Sequence, residues 1–349
     1  MRVLILFLII VGNLFAWDGR QDNHEIAKLK GYWKFEIGDN PKWADPDFND
    51  ADWEEIFVPS TWEDEGFPGY DGYAWYRKEF TIKQDVEISN CYLYVGVIDD
   101  TDETYINGHF IGYYGQFPPE FSTAAGVQRK YVVLPEYLNF GGKNVIAVRV
   151  YDEFQVGGIK RGRVRLVENI PDLEVEVGLA GIWKFKIGDD MEWKDAAYSD
   201  KEWADIAVPS IWQTQGYKDI HGLAWYRKTF KIDKYFEDER LIMLLGKIDD
   251  LDETYLNGRL LGRTGRIRKI PEESRVGGSE YSQLRAYYIP ADYLNFDGQN
   301  IVAVRVYDGP GHGGIYDGPI GIVERHKYLR WKKHKKENVR SFFEFLFGN

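Results

Sequence analysis

The sequence predicts an all-β protein built from two tandem antiparallel β-sandwiches of the jelly-roll type. Three observations carry that expectation. The 349-residue length exceeds one ordinary domain and suits two. The sequence overlays on itself at a shift of about 150 positions. Short β-branched and aromatic runs alternate with Gly, Pro, Asn and Asp, while no long segment of 3.6-residue period competes. A hydrophobic fraction of 44% is enough to build cores, which excludes global disorder. The single cysteine, Cys91, excludes a disulfide scaffold and a cysteine-based zinc site. A net charge of −12 argues against nucleic acid as the main partner.

The repeat accounts for the aromatic richness. Gly31-Tyr32-Trp33-Lys34-Phe35 meets Gly181-Ile182-Trp183-Lys184-Phe185, and Val58-Pro59-Ser60 meets Val208-Pro209-Ser210. Ala74-Trp75-Tyr76-Arg77-Lys78 meets Ala224-Trp225-Tyr226-Arg227-Lys228. From Gly31 to Gly115 roughly 45% of aligned positions are identical. Beyond Gly115 the register slips by six, because the loop 266–284 is longer than its counterpart 116–128. It resumes where Asn144–Asp152 meets Asn300–Asp308. Ten of the twelve tryptophans form pairs 150 positions apart: 33/183, 43/193, 53/203, 62/212 and 75/225.

The units are expected at 27–168 and 178–324, joined by a linker at 169–177. Within a unit, Asn107-Gly108 between two β-type runs signals a hairpin, because both turn positions need positive φ. From Val145 to Tyr151 the residues alternate. Ile146, Val148 and Val150 fall on one face; Ala147, Arg149 and Tyr151 fall on the other.

The ends differ from the body. Residues 1–16 combine a basic start, a short apolar run and Ala16, which reads as a signal peptide and implies secretion or a periplasmic location. Leu14 sits where cleavage prefers a small residue, so an uncleaved N-terminal anchor is the alternative. Residues 325–349 carry a local charge of +6, which leaves −18 for the rest. That basic and aromatic segment is expected as a tail that folds back on the acidic body. It could also contact an anionic membrane or glycan surface.

The ordered motifs also resemble a known family. Trp-x-Phe-x-x-Gly-Asp, Val-Pro-x-x-Trp, Ala-Trp-Tyr-Arg-Lys-x-Phe, Asp-x-x-Tyr-x-Asn-Gly and Asn-x-x-Ala-Val-Arg-Val each occur twice. Together they resemble the N-terminal sugar-binding, galactose-binding-like jelly roll of glycoside hydrolase family 2, carried by β-galactosidases and β-glucuronidases. The resemblance covers 31–168 and again 181–324. Enzymes of that family keep two catalytic glutamates on a separate (β/α)₈ barrel, which takes on the order of 250 residues. Only 25 residues follow the second unit. The resemblance therefore implies the accessory part of a glycosidase, present twice, without the catalytic part.

No other chemistry stands out. The histidines at 24, 109, 221, 312, 326 and 334 do not recur between units, and no Gly-x-Ser-x-Gly or metal-ligand spacing appears. The repeated acids Asp99, Asp100, Asp102 and Glu103, with Asp249, Asp250, Asp252 and Glu253, are the best candidates for polar work. Read as one strand, Asp99 and Glu103 share a face and Asp100 and Asp102 share the other. Arg77 and Arg149 are expected on the outward face with Glu103, in a glutamate–arginine network that is structural, ligand-binding or catalytic. No cofactor is expected. The exception would be calcium at the loop-proximal aspartates, although they lack the spacing and glycine of a calcium loop.

An exposed indole stacks on the C–H face of a pyranose, while Arg, Asp and Asn bind its hydroxyls. The candidate carbohydrate-binding residues are therefore Trp62, Trp75, Arg77, Glu103, Arg149 and Asp152 in the first unit. Their counterparts are Trp212, Trp225, Arg227, Glu253, Arg305 and Asp308, with His312 in the loop 308–314. The expected function is a secreted carbohydrate-binding or glycosidase-accessory protein that does not cleave bonds itself, with a glycan and a glycosidase as partners. A divergent O-glycosyl hydrolase and a structural, protein-interaction jelly roll are the alternatives.

Overall fold

The computed structural model describes residues 23–85, 91–169, 173–217, 220–274, 276–309 and 313–347. The expected signal peptide at 1–16 lies outside these residues. The first unit runs β1 (Asn23–Lys28), β2 (Gly31–Ile37), β3 (Glu54–Val58), β4 (Gly72–Thr81), β5 (Cys91–Asp99), β6 (Thr101–Ile106), β7 (His109–Tyr114), β8 (Gln128–Val133), β9 (Lys143–Asp152) and β10 (Gly158–Asn169). These form a six-stranded sheet in the order β3-β2-β4-β9-β6-β7 and a four-stranded sheet in the order β1-β10-β5-β8. All their pairings are antiparallel.

The second unit runs β11 (Val177–Gly178), β12 (Gly181–Ile187), β13 (Ala204–Val208), β14 (Gly222–Phe230), β15 (Leu241–Asp249), β16 (Leu251–Leu256), β17 (Arg259–Thr264), β18 (Leu284–Ile289), β19 (Asn300–Asp308) and β20 (Gly314–Glu324). Its sheets have the orders β13-β12-β14-β19-β16-β17 and β11-β20-β15-β18, strand for strand those of the first unit. Two β-sandwiches are thus present, as the composition and turn pattern predict.

The sandwich cores follow from strand alternation. Ile146, Val148 and Val150 point between the sheets with Trp33, Phe35, Leu93 and Leu166; Val302, Val304 and Val306 do the same in the second unit. The turns are as the residues require. Asn107 and Gly108, between β6 and β7, have φ of 49° and 79°, and Asn257 and Gly258 have 50° and 81°.

The chain end packs back on the body, as a tail that folds back would, but it does so as a helix in an otherwise all-β chain. Residues Arg325–Phe347 form one helix, α1. Tyr328 and Trp331, three residues apart on one face, pack with Leu173, Ile242, Leu244 and Val323 on the outer side of the four-stranded sheet. Lys327 pairs with Glu176, and the Arg325 N–H donates to the Arg240 carbonyl at 2.7 Å. Tyr328 and Trp331 lie in a strongly basic stretch of sequence, so periodicity there gives a weak signal. The same cluster buries Leu173, inside the expected linker. Among the described residues no helix is long and apolar enough to cross a membrane.

A candidate site at the acidic corner

β5 lies in the four-stranded sheet and β6 in the six-stranded one, so the chain changes sheets at Asp99-Asp100. The strict alternation read across this stretch therefore fails at the corner, and Asp99 does not share a face with Glu103. Instead, Asp99, Asp100 and Asp152, at the end of β9, bring carboxylate oxygens within 4.8 Å of one another. Asp249, Asp250 and Asp308 do the same in the second unit. Alternation holds again within β6. Asp102 turns inward and is fully buried, held by Arg129 Nε at 2.6 Å, Thr104 Oγ1 at 3.0 Å and the Tyr131 hydroxyl. Asp252 is held by Arg285, Thr254 and Tyr287.

Glu103 turns outward and accepts from Arg149 Nη1 at 3.0 Å and from the Tyr105 hydroxyl at 3.2 Å. Arg149 also donates through Nε to Asp39 at 2.8 Å. Arg305 bridges Glu253 and Asp189 in the same manner. The expected glutamate–arginine network thus exists, with an aspartate from the end of β2 added to it.

The tryptophans overturn their expected exposure: Trp62, Trp75, Trp212 and Trp225 are each 0% exposed. Trp62 lies in the sandwich core against Phe35 and Tyr70, and its Nε1 donates to the Tyr76 hydroxyl at 2.6 Å. Trp75 does lie on the outer face of the six-stranded sheet. The segment between β2 and β3 covers it there with Trp43, Phe48 and Trp53. Arg77 is not outward-facing in any open sense. It is buried as the anchor of that cover, donating to Asp50 at 2.6 Å and to the carbonyls of Trp43, Asp45 and Phe48. Arg227 anchors the matching cover through Asp200 and the carbonyls of Trp193, Asp195 and Tyr198. Strand parity gives the face of a residue but not what a distant loop lays over it. His312 lies outside the described residues.

The accessible aromatics are others, which the tryptophan-centred reading passes over. Tyr73 and Tyr151 face each other across β4 and β9. Phe117, from the loop after β7, stacks on Tyr73 with ring centroids 5.7 Å apart and planes 6° apart. The Arg149 guanidinium lies 4.3 Å from the Phe117 ring centre, and Phe121 packs against Tyr151. Tyr73, Phe117, Phe121 and Tyr151 are all half-buried, and Phe154, two residues beyond Asp152, is 58% exposed. The signal was available in Gln116-Phe117-Pro118-Pro119-Glu120-Phe121, a non-repeating loop with two aromatics. In the second unit Leu223, Leu251, Ile267 and Tyr307 form a buried cluster with a single aromatic ring instead.

Burial, then repulsion from Asp100, Asp99, Asp71 and Glu63, pushes the Asp152 carboxyl up to about 7. Burial and Asp250 push Asp308 up to about 8, and burial with the Asp250 contact raises Asp249. In the first unit burial raises Asp99, against the pull of Lys160.

Known proteins match part of this chain. Residues 38–153 match the model of the β-galactosidase second all-beta domain. A β-glucuronidase of Formosa agariphila is 32% identical over 137 residues, 35% of this chain and 13% of that protein. Over about a third of its length the chain is homologous to glycoside hydrolase family 2 β-domains. A Bacteroides ovatus β-galactosidase is 30% identical over 149 residues, 36% of this chain and 15% of its own length. The chain thus spans only about an eighth to a seventh of these relatives. Among solved structures, a Bacteroides uniformis β-glucuronidase aligns over 81% of this chain and 28% of its own, at 18% identity and a TM-score of 0.36. A family 2 glycosyl hydrolase of Bacteroides cellulosilyticus aligns over 81% and 31%, at 14% identity and a TM-score of 0.35.

Proposed function

We propose that this chain is an exported, non-catalytic carbohydrate-binding or glycosidase-accessory protein whose two units arose by duplication. The observation that carries the reading is the patch of half-exposed Tyr73, Phe117 and Tyr151 around Arg149, Asp39 and Glu103. Flat rings beside charged hydrogen-bonding groups suit a pyranose, which has an apolar C–H face and a hydroxyl rim. The first unit is the binder, because the second fills the matching place with the buried Leu223, Leu251, Ile267 and Tyr307. The homology to family 2 β-domains supports a carbohydrate setting. The test is retention of the full chain in polysaccharide-containing gels and on a glycan array. Retention that weakens in Phe117→Ala supports the reading; no retention on any glycan ends it.

One observation favours a hydrolytic alternative. An Asp152 carboxyl near 7 has the proton affinity of a general acid. Its full burial counts against that role, since a glycosidic oxygen must come within hydrogen-bond reach. Turnover of nitrophenyl glycosides that vanishes in Asp152→Asn would establish the alternative.

A further inference from the structure

We propose that Asp99, Asp100 and Asp152 of the first unit bind a divalent hard cation of the calcium class, and that the matching corner of the second unit does not. The three carboxylates offer oxygens within 4.8 Å of one another. Ligands of one calcium ion lie about 2.3–2.6 Å from it, so two of them stand at most about 5 Å apart. The spacing is that of a single coordination sphere.

The second observation is Asp152 itself. It is 0% exposed, and neither carboxylate oxygen has a hydrogen-bond partner. An ionised carboxylate in that state is costly unless a cation meets it. Nearby groups deepen the deficit. Both Glu63 oxygens and the Thr101 hydroxyl are also buried without partners, and Glu63 and Asp71 are close enough to act on Asp152. Three carboxylates thus converge at the corner with Glu63 and Asp71 acting on them, and among the described residues Lys160 pairs with Asp99. A monovalent ammonium fixed on one oxygen leaves the rest of that charge uncompensated.

The second unit supplies an internal comparison. Gln213 stands where the first unit has Glu63, and its Oε1 accepts from the Gly313 N–H at 2.9 Å. His221 stands where the first unit has Asp71, with Nδ1 3.4 Å from Asp308. The second corner keeps three carboxylates close together, but the two further acids are replaced there and its central aspartate, unlike Asp152, has a neighbour.

A bound ion would also tie two loops together. Asp100 accepts from Thr123 in the loop after β7 and from the Glu153 N–H in the loop after β9. These loops carry Phe117, Phe121 and Phe154. The proposal goes beyond the carbohydrate reading, and its test reads the metal alone.

The full chain is stripped with a chelator and titrated with calcium chloride by calorimetry, with thermal melts alongside. One ion per chain is expected, with a melting rise of about 5–10 °C at a hundredfold excess over Kd. Asp152→Asn should abolish both signals while its metal-free form melts no lower than the metal-free parent. That combination separates lost binding from lost folding. Asp308→Asn should keep both signals. The proposal is overturned if millimolar calcium gives neither heat nor shift, if Asp152→Asn still binds, or if Asp308→Asn removes binding. A larger response to magnesium than to calcium would overturn the calcium class.

Discussion

Replacing Asp308 with Asn should stabilise the protein at alkaline pH and leave it unchanged near pH 4. Asp308 is 1% exposed, beside Asp250, and its carboxyl is pushed from an ordinary 3.8 up to about 8. Between those values the folded state holds a proton that the unfolded chain has released. Stability from this group is therefore intact below about pH 4 and falls as the pH rises towards 8. Four units at about 1.4 kcal/mol each set a ceiling near 6 kcal/mol. His221, beside the carboxylate, is exposed and admits solvent screening, which reduces the expected cost to about 2–3 kcal/mol. Asn keeps the shape and cannot ionise. At pH 8 the variant should melt about 5–10 °C above the parent, and at pH 4 the two should coincide. Thermal or urea unfolding from pH 4 to 9 measures this. Parallel curves across that range, or a variant less stable at pH 8, would show that Asp308 holds no such proton.

Other perturbations follow from the same contacts. Arg129→Met leaves Asp102 buried beside Tyr131 and Thr104 without its cation, and also removes donors to the Ala124, Val127 and Asp100 carbonyls. A loss of about 3–5 kcal/mol is expected by urea unfolding, and a wild-type midpoint would contradict it. The double change Tyr328→Ala, Trp331→Ala strips α1 of its packing on Ile242 and Leu244. Limited proteolysis should then cut within Arg325–Phe347 while the sandwiches stay intact; equal protection in both proteins would count against the docking.

The sequence made much of this architecture legible. The Asn-Gly hairpins and the alternation along β9 are local signals with structural counterparts, and the two halves have the same strand orders. The corner at Asp99-Asp100 was not legible, because β5 and β6 read as one alternating run although they belong to different sheets. The buried tryptophans show the same limit. Trp75 sits on the face that parity assigns it, but its cover comes from residues more than 20 positions upstream, and Arg77 spends its whole guanidinium holding that cover down. The aromatic patch draws on β4, β9 and a loop from outside the repeating motifs, so only the folded chain brings it together. The helix α1 was hidden by the basic composition around Tyr328 and Trp331.

Sugar is expected to meet the first unit at Phe117 and Arg149 and not at the paired tryptophans. Calorimetry with an oligosaccharide selected on the array tests it, comparing the parent with Phe117→Ala and with Trp62→Phe. Stacking that covers roughly 50 Å² of pyranose surface is worth about 1.3 kcal/mol at about 25 cal/mol per Å². Phe117→Ala should therefore weaken binding about tenfold. Trp62→Phe should bind as the parent does, because that indole touches no solvent. Equal affinity in Phe117→Ala, or loss of binding in a folded Trp62→Phe, would contradict the account.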